Sequence, residues 1–380
     1  MNKWMKAFFA SEMAGGVAML TTALIALVLA NTALNDVYHD LIHTPLISKF
    51  NLHYISHDML MPIFFLLVGM ELKYEMLSGA LSQPRQRVLP LFAAVGGIAF
   101  PALIYMAITH DTAGLGNGWA IPTATDIAFA ICIINLAGRS VPAAAKVFLL
   151  AIAIYDDLAA ILIIALFYSG SLDMVPLLGA AAVALTMGFM NRRNIGQVAQ
   201  YLLLGIALGF LLYKAGIHTT VAGMITGLCI PLKGNYRGKN SPLESLMHDL
   251  HPLVAFGVLP LFAFSSAGVS FEGLSLGILL EPLPLGIALG LFFGKQLGIF
   301  GVTYIAAKSG FAPPPKGASW YTIYGISLIA GIGFTMSLFI GQLAFSNELL
   351  QTEMKLGVMA GSLLSAVVGL AVLKLRPAVT

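Results

Sequence analysis

The sequence predicts an all-α polytopic membrane protein, and three observations carry that reading. Hydrophobic residues make up 58% of the 380-residue chain and charged residues only 10%, where a soluble domain carries roughly 25% charged. Apolar stretches near the ~20 residues that cross a bilayer recur from one end to the other. Lysines and arginines cluster in alternate gaps between those stretches.

Twelve stretches qualify as spans: 13–32, 57–78, 88–108, 117–137, 146–168, 174–190, 199–213, 217–232, 250–268, 283–306, 320–345 and 355–375. The first follows Lys3 and Lys6, is longer than a secretory h-region and has no small-residue cleavage site after it, so it is expected to stay in the chain. With an internal start, sixteen of the twenty lysines and arginines fall on the cytoplasmic side: Lys3, Lys6, Lys73, Arg85, Arg87, Arg139, Lys146, Arg192, Arg193, Lys233, Arg237, Lys239, Lys308, Lys316, Lys374 and Arg376. Lys49, Lys214 and Lys355 fall outside, and Lys295 lies in mid-span. Both termini are therefore expected in the cytoplasm. The net charge of +3 reflects this asymmetry and implies no nucleic-acid partner.

Other classes lack their signatures. There is no Walker loop, dinucleotide fingerprint or Ser-His-Asp spacing, and no loop long enough for an ATPase domain. Cys132 and Cys229 sit in apolar spans without metal-ligand spacing and read as packing residues. Energy for transport must then come from an ion gradient, with no cofactor.

Four ionisable residues lie deep in predicted spans: Asp126, Asp156, Asp157 and Lys295. Each costs ~2.5–3.5 kcal/mol at a helix centre on insertion scales, so four uncompensated charges would consume much of the ~5–15 kcal/mol of typical net stability. They must be paired, hydrated or functional. Asp156 and Asp157 project about 100° apart on one helix, so one can meet a partner helix while the other faces a cavity. One lysine cannot neutralise both. The acid left over, desolvated beside a like charge, can bind a proton or a cation, and competition between the two is exchange. A cycle that loads one monovalent cation on two ionised acids and returns with both protonated moves net charge. The plainer reading is a buried salt bridge that fixes helix packing, and it weighs most for Lys295.

Two spans look interrupted. In the fourth, NGWAIPTATDIAFAICIINLAG, Pro122 removes a backbone donor and Thr123, Thr125 and Asp126 are suited to capping a fresh helix start. In the eleventh, Gly331, Gly333, Thr335 and Ser337 permit an unwound stretch at mid-depth. Grouping spans three to five (88–168) and ten to twelve (283–375) puts each interruption in the middle of a three-helix unit. Stepping from the third span to the tenth takes seven crossings, which makes the two units an inverted repeat with a midplane site between broken, crossing helices. Asp126 would offset the N-terminal ends of the half-helices there and Lys295 the C-terminal ends.

The residues resemble the NhaA family of bacterial sodium/proton antiporters. The resemblance is carried by FFLLVGMELK at 64–73, WAIPTATDIAFA at 119–130, AIYDDLAAI at 153–161, GIHTTVAG at 216–223, LHPLVAFGVLPLFAFSSAGVS at 250–270, GKQLGI at 294–299 and GIGFTMS at 331–337. It implies a multi-pass protein of the bacterial inner membrane that exchanges Na⁺, and Li⁺ with it, for H⁺. Asp157 would bind the ion with Asp156 nearby, Asp156 would pair with Lys295, and Thr125 and Asp126 would sit at the helix crossing. Oxygen ligands from Asp157, Asp156 and Thr125 suit a hard ion such as Na⁺. The pH response would map to Glu71, Glu75, His218, His248 and His251. A core of 88–168 and 283–375 would rock against an interface domain of 1–80 and 199–268, with 169–198 as a connecting span. A hairpin at 44–58 would support a homodimer in the lipid.

From the residues alone, those last assignments have plainer alternatives. Glu71 and Glu75 share a helical face near a cytoplasmic end, where a solvated rim with Lys73 beside it is the ordinary reading. His248 and His251 read as loop histidines, and His218 as a structural residue at a helix start. HDLIH at 39–43 lacks a third ligand for zinc. Met247 and Gln296 stand where the resemblance leads one to expect an acid and a proline. An intramembrane aspartyl protease would match Tyr155-Asp156, but its Gly-x-Gly-Asp element is absent. A channel or an organic-acid symporter on the same scaffold fits three acids and one lysine less well than cation exchange does.

Overall fold

In the computed structural model, residues 12–45, 50–138, 141–234, 241–273 and 275–375 are described, and among them the chain is helical with no β-strand. The helices are α1 (Glu12–Ala30), α2 (Asn35–His43), α3 (Leu52–Leu77), α4 (Pro84–Thr109), α5 (Ile127–Leu136), α6 (Ala143–Phe167), α7 (Met174–Arg192) and α8 (Val198–Lys214). There follow α9 (Thr220–Cys229), α10 (Pro242–Ala267), α11 (Pro282–Lys308), α12 (Trp320–Ile329), α13 (Phe334–Ala344) and α14 (Glu348–Lys374). A 3₁₀ helix, Gly116–Thr123, precedes α5.

The starts follow from local chemistry. Ser241 accepts from Glu244 N at the head of α10 with Pro242 in the first turn, Asp173 caps α7, Ser319 caps α12 and Asn347 caps α14. Nine segments among the described residues are long and apolar enough to cross a membrane, and α12 and α13 form a further pair bent by 42° at its break. Two more apolar helices are short, α8 with 17 residues and α9 with 10. All twelve stretches read from the sequence thus contain apolar helix, in unequal lengths.

The structure corrects some boundaries. The second span starts at Leu52, where Asn51 accepts from Tyr54 N at 2.7 Å, so 52–58 are helix and not part of a hairpin. Residues 46–49 of that expected hairpin lie outside the described residues, as do Lys3, Lys6, Arg139, Arg237, Lys239 and Arg376 of the charge tally. His248 and His251 are exposed on α10 and not in a loop, because the Ser241 cap and Pro242 start the helix well before the apolar run at 250.

The chain divides into two compact units. One comprises 1–40, 83–160 and 266–380, and the other 41–82 and 161–265. In the first, α11 lies against α4 so closely that a Cβ on Gly294 would stand 2.5 Å from Pro101 Cα, and one on Gly298 would run into the Gly96 carbonyl. In the second, α3 and α9 meet backbone to backbone: a Cβ on Gly227 would collide with the Leu66 carbonyl, and one on Gly223 with that of Pro62.

Candidate functional site

The first unit gathers all four deep charges. Asp126, Asp156, Asp157 and Lys295 are at most 2% exposed, and Thr125 is fully buried among them. Lys295 Nζ donates to Asp156 Oδ2 at 2.5 Å and to Thr125 Oγ1 at 3.0 Å. Thr125 Oγ1 lies 2.7 Å from Asp156 Oδ2 and 2.8 Å from the Ala330 carbonyl, and its single proton serves one of them at a time. Asp156 Oδ1 accepts no hydrogen bond from the described residues. Asp157 is the next residue of the same helix, 1% exposed.

Asp126 does different work. Its Oδ1 accepts from Phe129 N at 3.0 Å and so caps α5, while its Oδ2 accepts from Thr335 N at 3.0 Å and from the Thr335 hydroxyl at the head of α13. One carboxylate thus faces the positive ends of two half-helices. The backbones are laced as well: Asp126 N donates to Ile332 O at 2.7 Å, and Ser337 Oγ to Ile121 O at 2.7 Å. Both interruptions exist, but the first differs in form. Residues 116–123 are 3₁₀ helix that includes Pro122, and the extended break falls at Ala124–Asp126, beginning two residues after the proline. Lys295 does not reach a half-helix carbonyl itself; Thr125 does, at Ala330.

Sequence reasoning missed Ser362. Its hydroxyl, on α14, accepts from Gly333 N at 3.2 Å and Phe334 N at 3.1 Å, an N-cap supplied from another helix. The available signal was the small-residue spacing Gly357, Gly361, Ser365, Gly369, which lets a neighbouring backbone come close.

The residues read as pH-responsive all belong to the second unit. Glu75 Oε2 accepts from Ala80 N at 2.7 Å, and Glu71 is half-buried one turn earlier on α3. Lys73 sends its ammonium to Leu228 O (2.9 Å) and Ile230 O (2.6 Å) at the C-terminal end of α9, so it is not merely a neighbour of the two acids on a solvated rim. His218 Nδ1 lies 2.9 Å from Thr220 Oγ1, and its Nε2 lies 3.6 Å from Asp58 Oδ1. His248 and His251 stand one turn apart on α10.

Apolar helices of bilayer length around buried carboxylates, hydroxyls and one ammonium fit an integral membrane protein with ionisable groups in its interior. The family model for Na⁺/H⁺ antiporter 1 matches residues 6–373. The chain belongs to the NhaA family of Na⁺/H⁺ antiporters. It is 46% identical over 374 residues to the Na⁺/H⁺ antiporter NhaA of Brucella ovis, covering 97% of this chain and 95% of that one. It is 48% identical to NhaA 1 of Novosphingobium aromaticivorans (97% and 90% covered) and 47% identical to NhaA of Caulobacter vibrioides (96% and 89%). Among solved structures, the sodium proton antiporter MjNhaP1 of Methanocaldococcus jannaschii superposes with a TM-score of 0.50 at 17% identity over 94% of each chain, a likeness of fold.

Proposed function

We propose that this chain is an electrogenic antiporter of the bacterial inner membrane that exports cytoplasmic Na⁺, and Li⁺, in exchange for external H⁺, and that pH regulates it. The observation that carries the reading is the buried pair of consecutive acids, of which Asp156 is engaged by one ammonium and one hydroxyl. Membership of an antiporter family points the same way.

In this mechanism Asp157, Asp156 and Thr125 supply oxygen to the dehydrated Na⁺. The cation and protons compete for the same carboxylates, so loading one releases the other. Lys295 and Thr125 hold Asp156 when no cation is bound, which limits the cost of a buried carboxylate. More protons returning than Na⁺ leaving make the cycle carry charge. Asp126 stays in place as the hinge of the crossing, because its bonds go to backbone ends. The protein is a transporter and not an enzyme, and it needs no cofactor.

The same reading takes the twelve apolar stretches as twelve crossings with both termini cytoplasmic, in keeping with the lysine and arginine distribution. It takes 88–168 and 283–375 as inverted three-helix repeats whose interrupted helices, the fourth and eleventh spans, cross at the ion site. Alternating access moves them against 1–80 and 199–268, joined through 169–198. Glu71, Glu75, His218, His248 and His251 adjust activity to pH, and two copies of the chain pair as a homodimer in the lipid.

Dequenching of a pH dye in everted vesicles tests this. Na⁺ and Li⁺ should collapse the gradient and K⁺ should not, and Asp157→Asn should abolish nearly all of the response at parental protein levels. A full response in Asp157→Asn would refute the ion-site assignment.

A further inference from the structure

Lys295 sits between two π-turns of α11, Gly290–Gly294 and Gln296–Phe300. A π-turn shifts the backbone ladder to i+5 and loosens the helix, and such turns gather at functional sites. The next residue, Gln296, is 7% exposed, and both ends of its amide are engaged. Its Nε2 donates to Phe292 O, four residues back across the first π-turn, at 2.7 Å. Its Oε1 accepts from the hydroxyl of Tyr324 on α12, also at 2.7 Å. Tyr324 is half-buried, with its ring edge-on to Phe300 at 5.4 Å.

This bridge closes a loop of contacts. α12 carries Tyr324 at its middle and Ala330, the carbonyl within reach of Thr125, just past its C-terminal end. Lys295 in turn donates to Thr125 and Asp156. A lysine head on a flexible four-carbon stem is held only as well as the turn that carries it. The Gly294 and Gly298 face of that turn is fixed by direct backbone contact with α4, and the Gln296 face by the Tyr324 bond.

We propose that Gln296, through Tyr324, is a positioning residue for ion exchange: it sets the turn of α11 so that the Lys295 ammonium holds Asp156 and Thr125 in a geometry ready for Na⁺. The inference rests on the antiport reading above. Loss of the bridge leaves the charges in place but disorders two of the proposed oxygen ligands, so the effect falls on affinity.

The experiment is a Na⁺ titration of dequenching in everted vesicles for the parent, Gln296→Leu, Tyr324→Phe and the double variant. Each single change should raise the KM for Na⁺ about fivefold, the scale of one buried hydrogen bond, with the maximal rate per transporter near parental. The double variant should be no worse than Gln296→Leu. An unchanged KM, a fall in maximal rate alone, or additive effects in the double variant would overturn the proposal. If Gln296→Leu fails to accumulate, Tyr324→Phe decides alone, since it removes one hydroxyl and leaves the bond to Phe292 O. Absence of any Na⁺ response in the parent would instead defeat the antiport reading, so the two failures are distinguishable.

Discussion

Both compact units have helices packed backbone to backbone at glycines, but only one of them adds hydrogen bonds across broken helices. In the unit that holds the deep charges, two helices are broken, and their ends are joined by Asp126, Thr125, Ser337 and Ser362 through hydrogen bonds to backbone. In the other, α3 and α9 run unbroken past each other on glycine contacts, and the charged groups near that seam, Glu71, Lys73 and Glu75, lie toward the end of α3. A buried carboxylate without an exposed backbone end has little to bond to in an apolar interior. Breaking a helix supplies the donors and acceptors that let charge stay there.

That contrast can be attacked at four points. The largest effect is expected from Asp126→Ala, which uncaps α5 and leaves α13 with the Ser362 cap alone; it should cost about 3 kcal/mol, counting charge-assisted hydrogen bonds at roughly 1.5–3 each less the relief of desolvation. Thermal unfolding in detergent measures it, and Asp126→Asn, which keeps one acceptor, should lose less. In the glycine seam, Gly227→Val forces a side chain into the Leu66 carbonyl and should cost about 2 kcal/mol by overpacking. The protein that survives should keep the parental KM for Na⁺, because no proposed ligand has changed; a large rise in KM would mean the seam is part of ion binding.

The third point is pH. Na⁺ ligands must be deprotonated, so the KM for Na⁺ should rise as pH falls, by roughly tenfold per unit where one proton competes for the site. Titrations at several pH values in Asp126→Asn should keep that slope, since Asp126 is assigned to backbone ends and not to exchange. The smallest effect is Ser362→Ala, which removes one cap from α13 and should cost about 1 kcal/mol. Thermal unfolding should show that loss, while Ser362→Thr should restore most of it.

Much of this arrangement was legible in the sequence because charge in an apolar run is conspicuous. Asp126, Asp156, Asp157 and Lys295 stood out before any geometry, and the structure brings Asp156, Thr125 and Lys295 into contact. The approximate places of the interruptions followed from Pro122 and from the glycines at 331 and 333. Their form did not: a proline fits the 3₁₀ run 116–123, and the extended break at Ala124–Asp126 depends on bonds to residues some two hundred positions away. Ser362 was hidden for the same reason, as a serine in an apolar helix looks ordinary until the half-helix it caps is in view. Lys73 misled in the other direction. Its nearest charges in sequence are Glu71 and Glu75, but two free carbonyls of a distant short helix are better partners for an ammonium. His248 and His251 read as loop residues because the apolar run starts only at 250, whereas the helix starts at a cap nine residues earlier.

The central claim is that the Asp156–Asp157 pair performs the exchange. The most direct test is radioactive Na⁺ efflux from proteoliposomes with an inward proton gradient, comparing the parent with Asp156→Asn/Asp157→Asn at equal protein density. The account predicts efflux against the Na⁺ gradient in the parent, faster when a membrane potential assists net inward movement of positive charge, and none in the double variant. Uphill Na⁺ efflux from the double variant would contradict it.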